Sequence, residues 1–266
     1  MTTKAIIFDM DGTIADTEEI HRLAFNAAFA EYNLDWRWDF KTYKDLLSIS
    51  GGRERILHCL DKETKTHTSK NNRQLARKIH QRKSALYREL LENENIQCRT
   101  GVLRLLEEAK TKGINLAIAT SSSRANVETL LNNVIGTDGI GYFDSIISSD
   151  VVDDKKPCPI VYKMALSGLG YEAENCIAIE DTSNGNTAAV NAGLSTIITT
   201  HQYTTDSKFT DASLVVDSLG DIANPFVVDA GLSFGKEYVD LELIEAILDC
   251  PKSDLTDTWR RAANAN

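Results

Sequence analysis

The chain has 266 residues, 42% of them apolar, enough for one large domain or for a core that carries a smaller insert. Its 39 acidic residues outnumber 29 basic ones, and a net charge of −10 argues against generic binding to nucleic acid or to an anionic membrane. Five scattered cysteines (Cys59, Cys98, Cys158, Cys176, Cys250) show no CxxC spacing, so they read as thiols of a reducing compartment and form neither a zinc site nor a disulfide framework.

The amino terminus enters an apolar strand, Ala5–Phe8, without a charged-then-apolar leader, and no apolar stretch is long enough to span a bilayer. A cytoplasmic protein is expected, or a plastid stromal one if a transit peptide has been removed. The strand runs into Asp9-Met10-Asp11-Gly12-Thr13. Alternation along a strand points Asp9 and Asp11 to one side, where two like charges call for a divalent metal, a proton or a cationic ligand. An ordinary Asp-Gly turn is the plainer alternative. From about 16 to 96 only helical signals appear, far more chain than a crossover needs, so this stretch is predicted to be an inserted helical domain, with 1–15 and 97–266 forming the core.

The insert is basic where its host is acidic. Residues 62–90 hold nine Lys/Arg, Lys65 included, against Glu63 and Glu89, leaving this segment at +7 and the rest of the chain at −17. A helix is predicted over about 70–92, with Leu75, Ile79, Leu86 and Leu90 in one stripe, Arg73, Arg77 and Arg88 opposite, and Arg82 and Lys83 at the stripe's edges. A cation beside an apolar face either builds an anion pocket or snorkels to solvent.

After the insert, strands at Asn115–Ala119, Ser145–Ile147, Cys176–Ile179, Thr196–Thr199 and Ser213–Val216 alternate with helices at about 101–112, 124–132, 158–167, 185–192 and 218–224. That order predicts βαβ units, a parallel sheet and helices on both faces. An amphipathic pattern at 238–248 predicts a further helix, and the final Ala-Asn-Ala-Asn reads as frayed.

In open α/β sheets ligands bind at the carboxyl ends of the strands, and here those ends carry a consistent chemistry. The second strand delivers Thr120-Ser121-Ser122-Ser123 to a helix start, which is an anion site or a simple N-cap. Lys155-Lys156-Pro157 follows the third, and Glu180-Asp181-Thr182-Ser183-Asn184-Gly185 follows the fourth. Hard oxygen ligands of this kind suit Mg²⁺, and the lysine and hydroxyls suit a phosphoryl group held against it.

The order DxDGT, strand plus Thr/Ser, Lys-Pro, Glu-Asp resembles the haloacid dehalogenase (HAD) superfamily over about residues 4–220. The resemblance implies a Rossmann-like HAD core with an α-helical cap. It assigns Asp9 as nucleophile, through an aspartyl-phosphate, and Asp11 as general acid/base. It places Mg²⁺ on Asp9, the Asp11 carbonyl and Asp181 with Glu180 nearby. Lys156 becomes the charge partner, and Thr120 with Ser121 and Ser122 the grip on the phosphoryl oxygens. Dehalogenases lack the second acid, so Asp11 points away from that chemistry.

Within the superfamily the cap sequence is similar to the CbbY-like phosphatases, which remove a phosphate from xylulose-1,5-bisphosphate, an inhibitory by-product of rubisco. The stretches that carry this are Asp16-Thr17-Glu18-Glu19-Ile20-His21, Asp35 to Asp39 and Tyr43 to Ile56. The implied substrate contacts are Glu18, His21, Tyr43, Gly51, Gly52, Arg53, Arg55 and Lys83. Arg53, Arg55 and Lys83 are candidates for a second phosphate, and Gly51-Gly52 for close backbone approach. Tyr43 as core packing, Glu18 as a complement to the helix dipole and the glycines as a turn are the plainer alternatives. The expected protein is a monomeric Mg²⁺ phosphatase acting on a small phosphorylated sugar. Another sugar-phosphate HAD phosphatase, a β-phosphoglucomutase-type enzyme and a catalytically silent HAD-fold binder are the alternatives. The chain departs from family habit at Thr100-Gly101, where Pro-Gly is usual, and at Ile160, where an acid often stands.

Overall fold

The structure, a computed structural model, describes residues 3–64 and 69–251. Lys65 and the Ala-Asn-Ala-Asn terminus therefore lie outside the described residues. The first strand, β1 (Ala5–Phe8), is wholly buried. Six more follow: β2 (Asn115–Ala119), β3 (Ser145–Ile147), β4 (Cys176–Glu180), β5 (Ser195–Thr199), β6 (Leu214–Val216) and β7 (Val228–Gly231). They form one sheet in the order β3-β2-β1-β4-β5-β6-β7, parallel throughout except for the antiparallel β6–β7 pair. β1 thus sits between β2 and β4, at the point where the strand order reverses and an open α/β sheet leaves a crevice.

Alternation along β1 divides the core in two. Ile6 and Phe8 join the larger cluster, packed by α5 (Val102–Lys112), α6 (Arg124–Val134) and α9 (Leu241–Asp249). Ala5 and Ile7 face α7 (Ile160–Leu169) and α8 (Ser183–Asn191), where Ala117, Ala119, Ala178, Ala188 and Ala189 keep the layers close. The α/β class expected from the sequence is the one observed.

The segment between β1 and α5 contains α1 (Glu18–Glu31), α2 (Phe40–Leu46), α3 (Gly52–Thr64) and α4 (Lys70–Asn93). They share a separate apolar cluster around Phe25, Phe29, Trp38, Tyr43 and Ile79. Trp38 lies 4.7 Å from both Phe25 and Phe29, centroid to centroid, and aromatic pairs of this kind add roughly 0.5–1.5 kcal/mol beyond area burial. On α4 the fully buried row is Ala76, Ile79, Tyr87 and Leu91, with Lys83 in line at 3% exposure. The predicted stripe (Leu75, Ile79, Leu86, Leu90) is therefore rotated by about one residue, and Lys83 belongs to the buried face instead of its edge. Arg82 does lie outside it, paired with Glu31 and Glu89.

Two expectations after β6 fail for local reasons. No helix forms over 218–224. Asp221 Oδ1 accepts the backbone N–H groups of Ala223 and Asn224 at 2.9 and 2.7 Å, closing a side-chain turn, and Pro225 stops continuation. The edge strand β7 then appears where none was predicted, because Val-Asp-Ala-Gly has weak strand character and is not fully buried at any position.

Candidate active site

The strand β1 ends at Phe8, so Asp9 and Asp11 come from the turn beyond it and not from strand alternation. Asp9 N–H still donates to Ile179 O at 2.9 Å, extending the β1–β4 ladder by one bond. Gly12 then turns back at φ +84°. A Cβ at Gly12 would stand 2.3 Å from Asp181 Oδ2, so the glycine of this motif makes room for the acid of the fourth strand end.

Asp9, Glu180 and Asp181 are buried and each offers a carboxylate oxygen within 4.8 Å of the others. Lys156, also buried, lies between two of them: its Nζ donates to Asp9 Oδ1 at 2.5 Å and to Glu180 Oε1. Glu180 is further held by the Tyr162 hydroxyl at 2.6 Å and by the N–H groups of Asp181 and Thr182. Gly185 is packed so closely against it that a Cβ would fall 2.0 Å from its carboxylate. Burial pushes Asp9 well above the usual carboxylate range against the opposing pull of Lys156, with Glu180 and Asp181 adding to the rise. Burial likewise moves Asp181 up to about 6, opposed by His201. Lys156 moves up despite its own burial because two carboxylates hold its charge. Three buried carboxylates beside one lysine, which pairs with only two of them, leave two negative charges unmatched when all are ionised, and their all-oxygen donor set fits a hard divalent ion such as Mg²⁺.

Asp11 has a different environment. Its Oδ1 accepts from Thr17 Oγ1 at 2.7 Å, from the Tyr87 hydroxyl at 2.9 Å and from His21 Nε2 at 3.0 Å. The Thr17 hydroxyl, which by position caps α1, is diverted to this carboxylate and makes no capping bond. Behind His21, Lys83 Nζ contacts Nδ1. A lysine donating to Nδ1 leaves the imidazole proton on Nε2, facing Asp11. Burial would raise Asp11, but His21 and the two hydroxyls overcome it and hold the group below the ordinary carboxylate range. Lys83 is brought down to about 7, first by burial and then by Arg55, against the attraction of Asp11 and Glu18. It also lies 4.4 Å from the Phe25 ring centroid, which offsets part of that cost.

One cavity between sheet and helices is lined by Asp9, Asp11, Lys156 and Asp181 below, and by Glu18, His21, Arg55 and Lys83 above. Thr120, Ser121 and Ser122 close one side and Gly51 and Gly52 another. Thr120 Oγ1 accepts the Ser122 N–H at 3.0 Å, and Ser123 caps α6. Three expected residues stand apart from this lining. Glu180 is fully buried behind it. Tyr43 is buried in the aromatic cluster, so the packing alternative holds for its ring, while its hydroxyl donates to Glu18 Oε2 at 2.6 Å. Arg53 is exposed, paired with Glu54 at 2.7 Å, and borders a neighbouring cavity instead. On α3 a residue two positions away points about 200° around the axis, so Arg53 and Arg55 cannot both face the site.

Sequence reading missed four contributors. Tyr87 and His80 lie one turn after and one turn before Lys83 on α4, and i±3/4 spacing from that lysine was the available signal. His80 lines the cavity and is lowered to about 3 by burial and then by Lys83 and Arg53, a mark of how cationic this face is. Tyr162 follows no motif. His201 comes two residues after β5 and falls under the strand-end rule that found the others.

The sheet order, the four strand ends and the covering helices define a HAD-type fold, and the sequence profile of the haloacid dehalogenase-like hydrolase family matches residues 6–199. The chain belongs to this family and is a phosphatase of HAD type. Among its relatives it is 41% identical to the plasmid-encoded protein CbbY of Cupriavidus necator over 234 residues, 84% of this chain and 88% of that protein. It is 32% identical to a phosphorylated carbohydrates phosphatase of Thermotoga maritima, over 73% of this chain and 83% of the other. The crystal structure of a CbbY mutant from Rhodobacter sphaeroides in complex with xylulose-1,5-bisphosphate superposes with a TM-score of 0.76 at 39% identity, covering 84% of this chain and 98% of that one. Among the described residues no helix is long and apolar enough to cross a membrane.

Proposed function

We propose that this protein is a Mg²⁺-dependent sugar-phosphate phosphatase whose substrate is xylulose-1,5-bisphosphate, with residues 16–96 acting as the cap over a core of 1–15 and 97–266. The observation that carries this reading is the single cavity with an acid cluster and Lys156 on its sheet side and the cations Arg55 and Lys83 on its helical side. One end suits a phosphoryl group under attack, the other a second anion that is only held. The Rhodobacter relative crystallised with that bisphosphate supports the choice of sugar.

Asp9, Asp181 and Glu180 would hold the ion, with the Asp11 carbonyl as a further oxygen ligand. A bound Mg²⁺ would supply positive charge to offset repulsion between the carboxylates and the incoming phosphate. A carboxylate oxygen of Asp9 attacks phosphorus; the new Asp9–phosphorus bond forms as the ester P–O bond to the sugar breaks. Lys156 opposes the burial that raises Asp9, and a bound cation would add to that pull toward the carboxylate form the attack needs. Thr120 and the N–H groups at Ser121 and Ser122 hold the phosphoryl oxygens. The sugar oxygen leaves with a proton from Asp11, which then takes one from the water that cleaves the aspartyl-phosphate. Asp11, held by three donors that favour its carboxylate form, is set for that second, basic role; the acid step requires it to gain a proton first. Glu18, held by Tyr43, faces the sugar hydroxyls.

A phosphate-release screen over pentose and hexose mono- and bisphosphates, with and without Mg²⁺, tests the reading. Release of one phosphate from xylulose-1,5-bisphosphate to give xylulose-5-phosphate, dependent on Mg²⁺, is the expected result. Preference for monophosphates, or return of the phosphoryl group to the sugar, would contradict it.

A further inference from the structure

His201 has no part in the chemistry above, yet it is buried against the proposed metal ligand Asp181. Its Nε2 lies 2.9 Å from Asp181 Oδ2. Its other ring nitrogen, Nδ1, faces the backbone N–H of Tyr203 at 3.4 Å. That N–H can only donate, so Nδ1 accepts, the ring proton sits on Nε2, and Nε2–H donates to Asp181. Thr13 Oγ1 donates to the other oxygen, Oδ1, at 3.3 Å. The bond has no room to move: a Cβ at Gly12 would come within 2.3 Å of Asp181 Oδ2 and 2.9 Å of His201 Nε2. The loop is fastened as well. His201 N–H donates to Thr204 Oγ1 at 3.1 Å, and its carbonyl accepts the N–H groups of Thr204 and Thr205. Tyr203 then reaches the helical layer, donating to Glu19 Oε2 at 2.6 Å and stacking on Phe40 at 4.5 Å.

We propose that His201 is a positioning residue for divalent-cation binding. Its imidazole occupies Oδ2 of Asp181 and fixes the carboxylate plane, so that Oδ1 is presented to the cation without a search over rotamers. This rests on the metal reading of the Asp9–Glu180–Asp181 cluster. Outer partners of this kind hold ligating groups in orientation, and losing one typically weakens metal affinity about 10–100-fold.

The test is calorimetric titration of Mg²⁺ into the intact, substrate-free protein, comparing wild type, His201→Gln and His201→Met, with thermal melts to establish that each variant is folded. Glutamine retains an N–H donor at similar reach; methionine fills the space without one. The proposal expects Kd to rise about 10–100-fold in His201→Met and less than about threefold in His201→Gln. It also expects the Mg²⁺ concentration for half-maximal activity to rise in His201→Met while kcat at saturating Mg²⁺ stays near wild type. Equal or tighter Mg²⁺ binding by His201→Met would overturn it. If the wild type itself bound no Mg²⁺, the metal reading would fall, and this inference with it.

Discussion

The two walls of the cavity are built on different principles. On the sheet side, Asp9, Lys156, Glu180 and Asp181 are buried, and each is fixed by the end of a strand or by its neighbours there. On the helical side, Arg55 and Lys83 depend on which way a helix is rotated, and a change of one residue in register would turn them about 100° away. A strand end delivers whatever follows it to the same edge of the sheet. A helix delivers only the residues on one face. The proposed chemistry therefore resides where geometry is least adjustable, and the proposed substrate selection where it is most adjustable.

That contrast can be broken first at Lys156. Removing its charge leaves Asp9 and Glu180 buried without their cation, which destabilises a fold by about 3–5 kcal/mol. Lys156→Met is expected to lose at least about a thousandfold in kcat/KM, since it disturbs the nucleophile directly. Its melting temperature should fall in EDTA and recover in part with Mg²⁺. A variant as stable as wild type in EDTA would show that the acids are not in need of a partner.

Next is Lys83, whose proton sits at about 7 in the fold against an ordinary lysine value near 10.5. Between those values the unfolded chain holds a proton that the folded chain lacks. Stability due to this residue therefore rises with pH over that window, and the cost of the buried charge is full below it. Anion binding has the opposite sign, because the charged form holds phosphate. KM for the bisphosphate should climb from pH 7 to 9 in wild type, while Lys83→Met is expected to raise KM at pH 7 about tenfold and to flatten the profile. A profile in Lys83→Met parallel to that of wild type would remove Lys83 from the anion site.

The smallest effects discriminate between neighbours on one helix. Arg55→Ala should weaken bisphosphate binding about tenfold while leaving monophosphate turnover within about twofold, the loss of one charge-assisted contact. Arg53→Ala, directed at Glu54 and a neighbouring cavity, should change either by less than about twofold. Equal losses for the two variants would mean that α3 presents a different face to the substrate.

The same contrast explains what the sequence made legible. Alternating strands and helices, with acids after β1 and β4, hydroxyls after β2 and a lysine after β3, were enough to assemble the sheet side, because parallel strands send all their carboxyl ends one way. Arg53 and Arg55 could not be separated without knowing the rotation of α3, and the stripe on α4 was misplaced by a residue for the same reason. Tyr43 looked like a substrate contact and is a packed ring whose hydroxyl orients Glu18. The helix expected at 218–224 was lost to an Asp221 turn that competes locally with helix formation. Asp11 illustrates a further limit: the motif names the residue, but its three donors come from Thr17, His21 and Tyr87, of which the last is 76 residues away in sequence.

In the proposed reaction Asp9 takes up the phosphoryl group with Mg²⁺ bound beside it. Phosphate release from xylulose-1,5-bisphosphate, measured for wild type and a folded Asp9→Asn variant with Mg²⁺ and with EDTA, tests it most directly. Release is expected only where the Asp9 carboxylate and Mg²⁺ are both present; appreciable release by Asp9→Asn, or by wild type in EDTA, would show that the nucleophile or the metal is wrongly assigned.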